Sequence, residues 1–337
     1  MGIQLTDIVE GEEISLDALL DKKIAVDAYN WLYQFLSIIR QADGEPLKDF
    51  KGNITSHLSG LFYRTLKMIE CGINPIYVFD GKPTEMKKET NEKRRDAREE
   101  AKEEWKKALE RGDYEAAKKH AQRSTSLTQD MVENSKELLD AMGVPWLQAP
   151  NEGEALCSVM CANGEAYSAA SQDYDALLFG TARLIRNLSV SGKRKRGNDY
   201  ITINPEIMHL QKVLEKLGIS RDQLIILGML IGTDYNPGGV LGYGPKKSLE
   251  LVKEEKTLDN VLQKVQWNSD ADPQEIFDFF RHPKEVQYEV NFRPLDEAKV
   301  MKILVDEHDF SHERVKNALN KVKSVEKKQS SLSRWTK

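Results

Sequence analysis

Seven carboxylates fall where apolar stretches of the chain give way to turns or helix starts. They are Asp27 in KIAVDAYNWLY, Asp80 in PIYVFDGKP, Glu152 and Glu154 in APNEGEAL, Asp173 and Asp175 in SQDYDALL, and Asp234 in LIGTDYNPGG. Drawn into one cleft they would repel one another, and oxygen-ligated divalent cations would offset that repulsion. Two such cations on a phosphodiester are suited to hydrolysing it. A single acid in such a place is as readily a helix cap or a solvated turn. The repeated coincidence is what points to a site.

The elements that would position these acids read as strands and helices in alternation. KIAV (23–26), PIYVF (75–79) and AYSAAS (166–171) are short apolar runs, each followed by an acidic residue at once or within two positions. Helical patterns separate them, which predicts an α/β fold with a mostly parallel central sheet flanked by helices. Ligand sites in such sheets lie beyond the carboxyl ends of the strands, where Asp27, Asp80, Asp173 and Asp175 would emerge. Glu152 and Glu154 follow Pro150 at the start of a helix reaching about Ala162, and Asp234 follows the apolar helix DQLIILGMLIG.

The 337 residues suffice for one large domain or two ordinary ones, and no apolar run approaches the length that crosses a bilayer. The start MGIQLTDIVEG lacks a basic segment followed by an apolar one, so no secretory leader is expected. Cys71, Cys157 and Cys161 form no CxxC pair and no even framework, which predicts a reducing compartment. Cys157 and Cys161 read as small buried residues on one helix face, and His308 with His312 as surface residues.

A net charge of −5 looks unsuited to nucleic acid until it is resolved along the chain, because affinity follows local potential. Of the 33 residues from 87 to 119, 22 are charged and 12 are Lys or Arg. Gly112-Asp113 divides the stretch into two helical pieces, with Glu89 and Lys93, and Glu103 and Lys107, as supporting pairs. So narrow an apolar stripe suits a solvated or coiled-coil face. Its departure directly after Asp80, with Lys87, Arg94, Arg98 and Lys102 in one helical sector, suggests a basic face hinged over the acids. In GVLGYGPKKSLEL, Gly242-x-Gly244 opens a helix where backbone N–H groups can approach a phosphate, beside Lys246 and Lys247. The KRKR run at 193–196 reads as a loop between two strand-like segments, either touching a phosphate backbone or simply solvated.

Taken in order, MGxxLxDI, AVDA with YQFL, SHLSGLFYRT, YVFDGKP, EGEA, SQDYDxLLFG, GTDY and GxGPKK resemble the flap endonucleases of the XPG family of structure-specific 5′ nucleases, over nearly the whole chain. The resemblance implies a PIN-like 5′-nuclease fold in a single domain over residues 1–322, with a helical arch at about 82–130 and a helix-two-turn-helix at about 222–255. It implies two Mg²⁺ ions, with Mn²⁺ as an alternative, held by the seven carboxylates directly or through water, and a K⁺ ion at the helix-two-turn-helix. It also implies that Lys87 and Arg94 contact the scissile phosphate and that Tyr33 stacks on the neighbouring base. Gly2, Arg40, Thr55, Arg64, Arg98, Gly242, Gly244, Lys246 and Lys247 match DNA-handling positions. The implied activity is cleavage at the base of 5′ flaps in branched double-stranded DNA, with 5′–3′ exonuclease activity, in Okazaki fragment maturation and base excision repair.

Leu241 and Tyr243 depart from the Lys and Ile frequent in relatives. In KKQSSLSRWTK, Gln329, Leu332 and Trp335 keep the spacing of a sliding-clamp-binding peptide within a flexible tail over 323–337, but Thr336 stands where a second aromatic is usual. One missing anchor predicts weaker docking. The short tail is closer to archaeal members, which implies a monomer in the cytoplasm of a cell without a nucleus, or in the nucleus of a eukaryotic source. Two readings compete: a gap or 5′ exonuclease of the same family, and a PIN-type ribonuclease, which would not need the charged hairpin, the Gly-x-Gly turn or the tail.

Overall fold

The computed structural model describes residue 3 and residues 5–82, 84–190, 192–196 and 199–332, the side chains of 89, 193–196, 199–201 and 324–332 excepted. Among these residues the strands are β1 (Glu12–Glu13), β2 (Lys23–Asp27), β3 (Asn74–Phe79), β4 (Trp146–Gln148), β5 (Ser168–Ala170), β6 (Arg183–Arg186), β7 (Gly192–Arg196), β8 (Asp199–Ile203) and β9 (Glu206–His209). Seven of them form one sheet in the order β1-β9-β6-β5-β2-β3-β4. β2 pairs in parallel with β3 and β5, β3 with β4, and β5 with β6, while β9 runs antiparallel to β6 and β1. The fold is therefore a mostly parallel sheet flanked by helices. Ile24, Ala25, Val26, Ile76, Tyr77 and Val78 are fully buried, as strands covered on both faces require.

One face carries α1 (Ala28–Ile38), α2 (Ser56–Glu70), α5 (Gln129–Ala141), the short α13 (Glu297–Met301) and α14 (His312–Leu332), packed around Trp31, Phe62 and Leu138. α6 (Gly153–Ala162) covers the other face through Leu156, Val159 and Met160. A second core, around Leu224, Leu227, Tyr235 and Phe280, joins α7 (Asp175–Leu178), α8 (Leu210–Leu217), α9 (Arg221–Ile231), α10 (Pro245–Glu255), α11 (Leu258–Lys264) and α12 (Pro273–Arg281). None of these helices is long and apolar enough to cross a membrane.

After β3 the chain leaves the sheet through a 3-10 turn at 85–87 into α3 (Lys88–Glu110) and returns along α4 (Tyr114–Arg123). Gly112, at φ 70°, makes the reversal, a conformation that costs other residues about 1 kcal/mol. In the hairpin Ala101, Ala108, Ala117 and Ala121 are buried, and Ala121 packs so close to Gly44 that a Cβ there would stand 2.9 Å from its own.

Three sequence expectations change. KRKR is not a loop: it lies within β7, paired antiparallel with β8 from Gly192 against Ile203 to Arg196 against Asp199. The β-branched partner segment YITI favours that ladder. α14 runs on to Leu332, past residue 322 where the flexible tail was expected. The core spacing of Val315, Leu319 and Val322 ends there, but KSVEKKQSSL contains no Gly or Pro to stop a helix. Lys107 pairs with Glu104 at 2.7 Å rather than with Glu103.

Candidate active site

All seven carboxylates line one cleft of about 740 Å³, at the carboxyl ends of β2, β3 and β5. Asp27 ends β2 and caps α1, its Oδ1 accepting from the Asn30 N–H at 3.0 Å. Asp80 follows β3 and accepts from the Gly153 N–H at 2.7 Å. A side chain at Gly153 would bring its Cβ to 2.9 Å from that Asp80 oxygen, so the glycine of EGEA lets α6 approach β3. The same helix start presents Glu152 and Glu154. After β5, the Ser171 hydroxyl lies 2.7 Å from Glu154 Oε1 and 3.1 Å from Asp27 Oδ2, and its oxygen accepts the Asp173 N–H at 3.2 Å. Asp175 opens α7 and accepts from the Ile3 N–H at 2.8 Å. Asp234 closes the set beyond α9, in a turn where Asn236 binds the Thr233 N–H and hydroxyl and the Met229 carbonyl.

The arch supplies the opposing charge. Lys87 Nζ bonds Glu152 and stands 3.5 Å from Asp234 Oδ2 and 5.2 Å from the centre of the Tyr235 ring. Arg94 reaches the other Asp234 oxygen at 2.6 Å, and the Thr90 hydroxyl donates to the Asp234 carbonyl. Arg98 lies 5.3 Å from the centre of the Tyr33 ring, covering an aromatic face at the cleft wall. Lys102, expected in the same sector, is exposed.

These few cations leave the acids strained. Burial, then the Asp80 charge, pushes Asp27 well above the usual carboxylate range. Burial and the Asp27 charge do the same to Glu154. Asp80 is raised to about 7 by burial and Glu152, and Asp175 to about 7 by burial and Asp234. Asp234 goes the other way: burial opposes its charge, but Lys87 and Arg94 outweigh it. Among the described residues no three acidic, His or Cys groups are already closed into a metal cage. The Lys87 ammonium stands among the carboxylates, against Glu152 and Asp234. An all-oxygen donor set in which burial and neighbouring acids favour the protonated form of Asp27, Asp80, Glu154 and Asp175 fits hard divalent cations, which would replace those protons.

The XPG N-terminal domain matches residues 1–101 and the XPG I-region residues 143–234, so every one of the seven acids falls in a matched segment. A flap endonuclease 1 of Pyrococcus abyssi is 53% identical over 340 residues, spanning 99% of this chain and 98% of that protein. The chain belongs to the flap endonuclease 1 family. Among solved structures, flap endonuclease-1 from Methanococcus jannaschii matches with a TM-score of 0.76 at 42% identity, covering 96% of this chain and 98% of that one. The catalytic core of Rad2, solved in complex with DNA substrate, matches at 0.71 and 25% identity over 96% of this chain and all of its own.

The flap endonuclease fold places the other expected residues in three groups. Tyr33, Lys87, Arg94 and Arg98 line the cleft with the acids. Arg40, Thr55 and Arg64 do not line it. Arg40 binds the Gly44 carbonyl and the Thr125 hydroxyl, Thr55 is buried before α2, and burial lowers the pKa of Arg64 on α2. Gly242, at φ 83°, and Gly244, capping α10, have open space around them, with Lys246 and Lys247 exposed and Lys247 4.1 Å from the centre of the Tyr243 ring. Gly2 and Trp335 lie outside the described residues, and the side chains of Gln329 and Leu332 likewise, their backbone being in α14.

Sequence reasoning missed the neutral residues that organise the acids: Asn30, Ser171 and Thr90. Asn30 and Ser171 are signalled only by position, one helical turn after Asp27 and at the end of β5, and Thr90, 144 residues from Asp234, has no local signal. It also misjudged His308, whose Nδ1 lies 3.2 Å from the buried Asp49 and so is not a free surface group.

Proposed function

We propose that this chain is a structure-specific 5′ flap endonuclease, a metal-dependent hydrolase that cuts a DNA phosphodiester at the base of 5′ flaps and carries 5′–3′ exonuclease activity. Its place is in Okazaki fragment maturation and base excision repair. The observation that carries the reading is the convergence of seven carboxylates in one cleft under a basic arch, in a chain of this family.

Asp27, Asp80, Glu152, Glu154, Asp173, Asp175 and Asp234 are the residues that would hold two Mg²⁺ or Mn²⁺ ions. Bound there, the ions supply a nucleophilic water near neutral pH and charge neutralisation at the leaving oxygen. Lys87 and Arg94 would exchange their present carboxylate partners for the scissile phosphate and meet negative charge that grows in the transition state. Withdrawal of Arg98 would free the Tyr33 ring to stack on an unpaired base. The open turn at Gly242 and Gly244, with Lys246 and Lys247 and a K⁺ ion, would hold duplex phosphates at a fixed distance from the cut. Gln329, Leu332 and Trp335 would engage a sliding clamp weakly, and the protein would act as a monomer in an archaeal cytoplasm.

The deciding experiment is cleavage of an end-labelled double-flap DNA in Mg²⁺ by wild type and Asp175→Ala, mapped to the nucleotide. One metal-dependent cut at or one nucleotide inside the junction, absent from the variant, is expected. Preference for single-stranded RNA would favour a PIN-type ribonuclease, and cutting only at ends or gaps a sibling exonuclease.

A further inference from the structure

The turn that carries Asp173 and Asp175 is gripped from behind by residues with no place in the mechanism above. β6 ends at Arg186, because Asn187 turns the backbone into the left-handed region at φ 61°, which Asn tolerates better than most side chains. The side chain of Arg186 sits next to the turn that leaves the adjacent β5. Its Nε donates to the Gln172 carbonyl at 3.0 Å and its Nη1 to the Tyr174 hydroxyl at 2.5 Å, with the guanidinium 4.3 Å from the centre of the Tyr174 ring. On the N-terminal side of the same residue, Asn30 Oδ1 accepts the Gln172 N–H at 3.2 Å, and Asn30 Nδ2 donates to Asp173 Oδ2 at 3.1 Å. Gln172 is thus fixed at its N–H and its C=O, and Tyr174, buried, is fixed at its ring and hydroxyl. The two acids stand on either side of Tyr174.

We infer that Arg186 is a positioning residue for divalent-cation binding: through Gln172 and Tyr174 it sets where Asp173 and Asp175 face the cleft. This rests on the proposed metal-dependent reading of the site. Groups bonded directly to a ligand are worth about 10- to 100-fold in metal affinity, and Arg186, one residue removed from both acids, should act at the lower end of that range. A planar fork suits the task because its separate N–H groups serve a carbonyl and a phenol at fixed angles while its face lies on the ring, whereas an ammonium has no such face and no fixed spacing between donors.

The test is Mn²⁺ binding in the absence of DNA, read from the free-ion electron paramagnetic resonance signal. It is run on wild type, Arg186→Met, Arg186→Lys, Tyr174→Phe and the Arg186→Met/Tyr174→Phe pair, with thermal unfolding in EDTA and flap-DNA affinity in EDTA alongside. Arg186→Met is expected to weaken Mn²⁺ binding about tenfold or more, Arg186→Lys and Tyr174→Phe less, and the double variant no more than Arg186→Met, as residues acting as one unit do. DNA affinity in EDTA should stay within about twofold of wild type. Unchanged Mn²⁺ binding in a folded Arg186→Met overturns the inference, and so does a loss confined to DNA affinity, which would make Arg186 a DNA contact. If Arg186→Met does not fold, Tyr174→Phe decides, since it removes one oxygen. If wild type binds Mn²⁺ but cuts no flap, the substrate reading fails and the positioning role stands; if wild type binds no Mn²⁺, both fail.

Discussion

The acid cluster and the arch are both dense in charge, yet they are held in place by opposite means. Each acid of the cluster leaves a strand or helix end, and several are fixed by donors from the folded frame: Asn30 N–H, Gly153 N–H, Ile3 N–H and the Ser171 hydroxyl. The arch is mostly exposed, and what docks it is the row Lys87, Thr90, Arg94 and Arg98 over the cleft together with Trp105 and Ala121 against Asp43 and Gly44. A site that must hold cations in one geometry is built on rigid elements. On the proposed function the arch admits a DNA strand, and segments that must move are drawn from the less tightly held parts of a fold. The same Asp234 serves both, as a member of the cluster and as the docking point of the arch.

The comparison is most easily broken by matched substitutions. Asp80→Asn should leave no measurable cleavage, a loss beyond about 10³-fold, while flap-DNA affinity in EDTA is retained, because it strikes one of the groups proposed to hold the ions. Lys87→Ala and Arg94→Ala should each lower the single-turnover rate by about 10²- to 10³-fold, as loss of one preorganised donor does, with less than about tenfold change in affinity. Single-turnover assays with binding isotherms on the same preparations separate rate from affinity. Turnover retained by Asp80→Asn would remove the acids from the chemistry. A loss of affinity larger than the loss of rate at Lys87 would make the arch a tether only.

Much of this division is legible in the sequence, for different reasons in its two halves. Buried strands ending in acids carry a strong signal, because KIAV and PIYVF can be little else and Asp27 and Asp80 follow directly. The arch is legible as charge, and Gly112 as its reversal. What could not be read is which charge meets which. Lys107 choosing Glu104 and His308 meeting Asp49 across 259 residues depend on tertiary placement rather than spacing. Asn30, Ser171 and Arg186 act through individual hydrogen bonds to particular partners that no periodicity records. KRKR misleads because long basic side chains suit a strand as well as a loop once a β-branched partner strand is present.

A subtler test uses pH. Asp80 and Asp175 sit at about 7 in the folded, metal-free protein, against an ordinary value of 3.8 once unfolded. Between those values the folded state holds more protons, so their stabilising contribution, complete below 3.8, is lost as pH rises through about 7. His57 opposes this at lower pH: burial drops it from 6.5 to about 3, so its contribution grows only until about pH 6.5. From pH 6.5 to 8.5 the metal-free protein should therefore lose a few degrees in Tm, by calorimetry in EDTA. Asp80→Asn should flatten that slope, and Mg²⁺ should raise Tm more at pH 8.5 than at 6.5. A flat wild-type profile would mean that the arch cations already balance the acids.

The smallest expected effect sharpens the comparison at the contact between the two regions. The hydroxyl of buried Thr90 donates to the Asp234 carbonyl, and a Val side chain has the same shape without the donor. Losing one such hydrogen bond costs about 1 kcal/mol. If that energy holds only the arch, Thr90→Val leaves Tm unchanged, while amide exchange in α3 accelerates about fivefold and exchange in β2 and β3 does not move. Cleavage should stay within about threefold, since Lys87 and Arg94 keep their own contacts. Equal acceleration in the strands, or a Tm several degrees lower, would show that arch and sheet unfold as one unit. The contrast would then lie in exposure alone, and the arch could open for DNA only at the expense of the site beneath it.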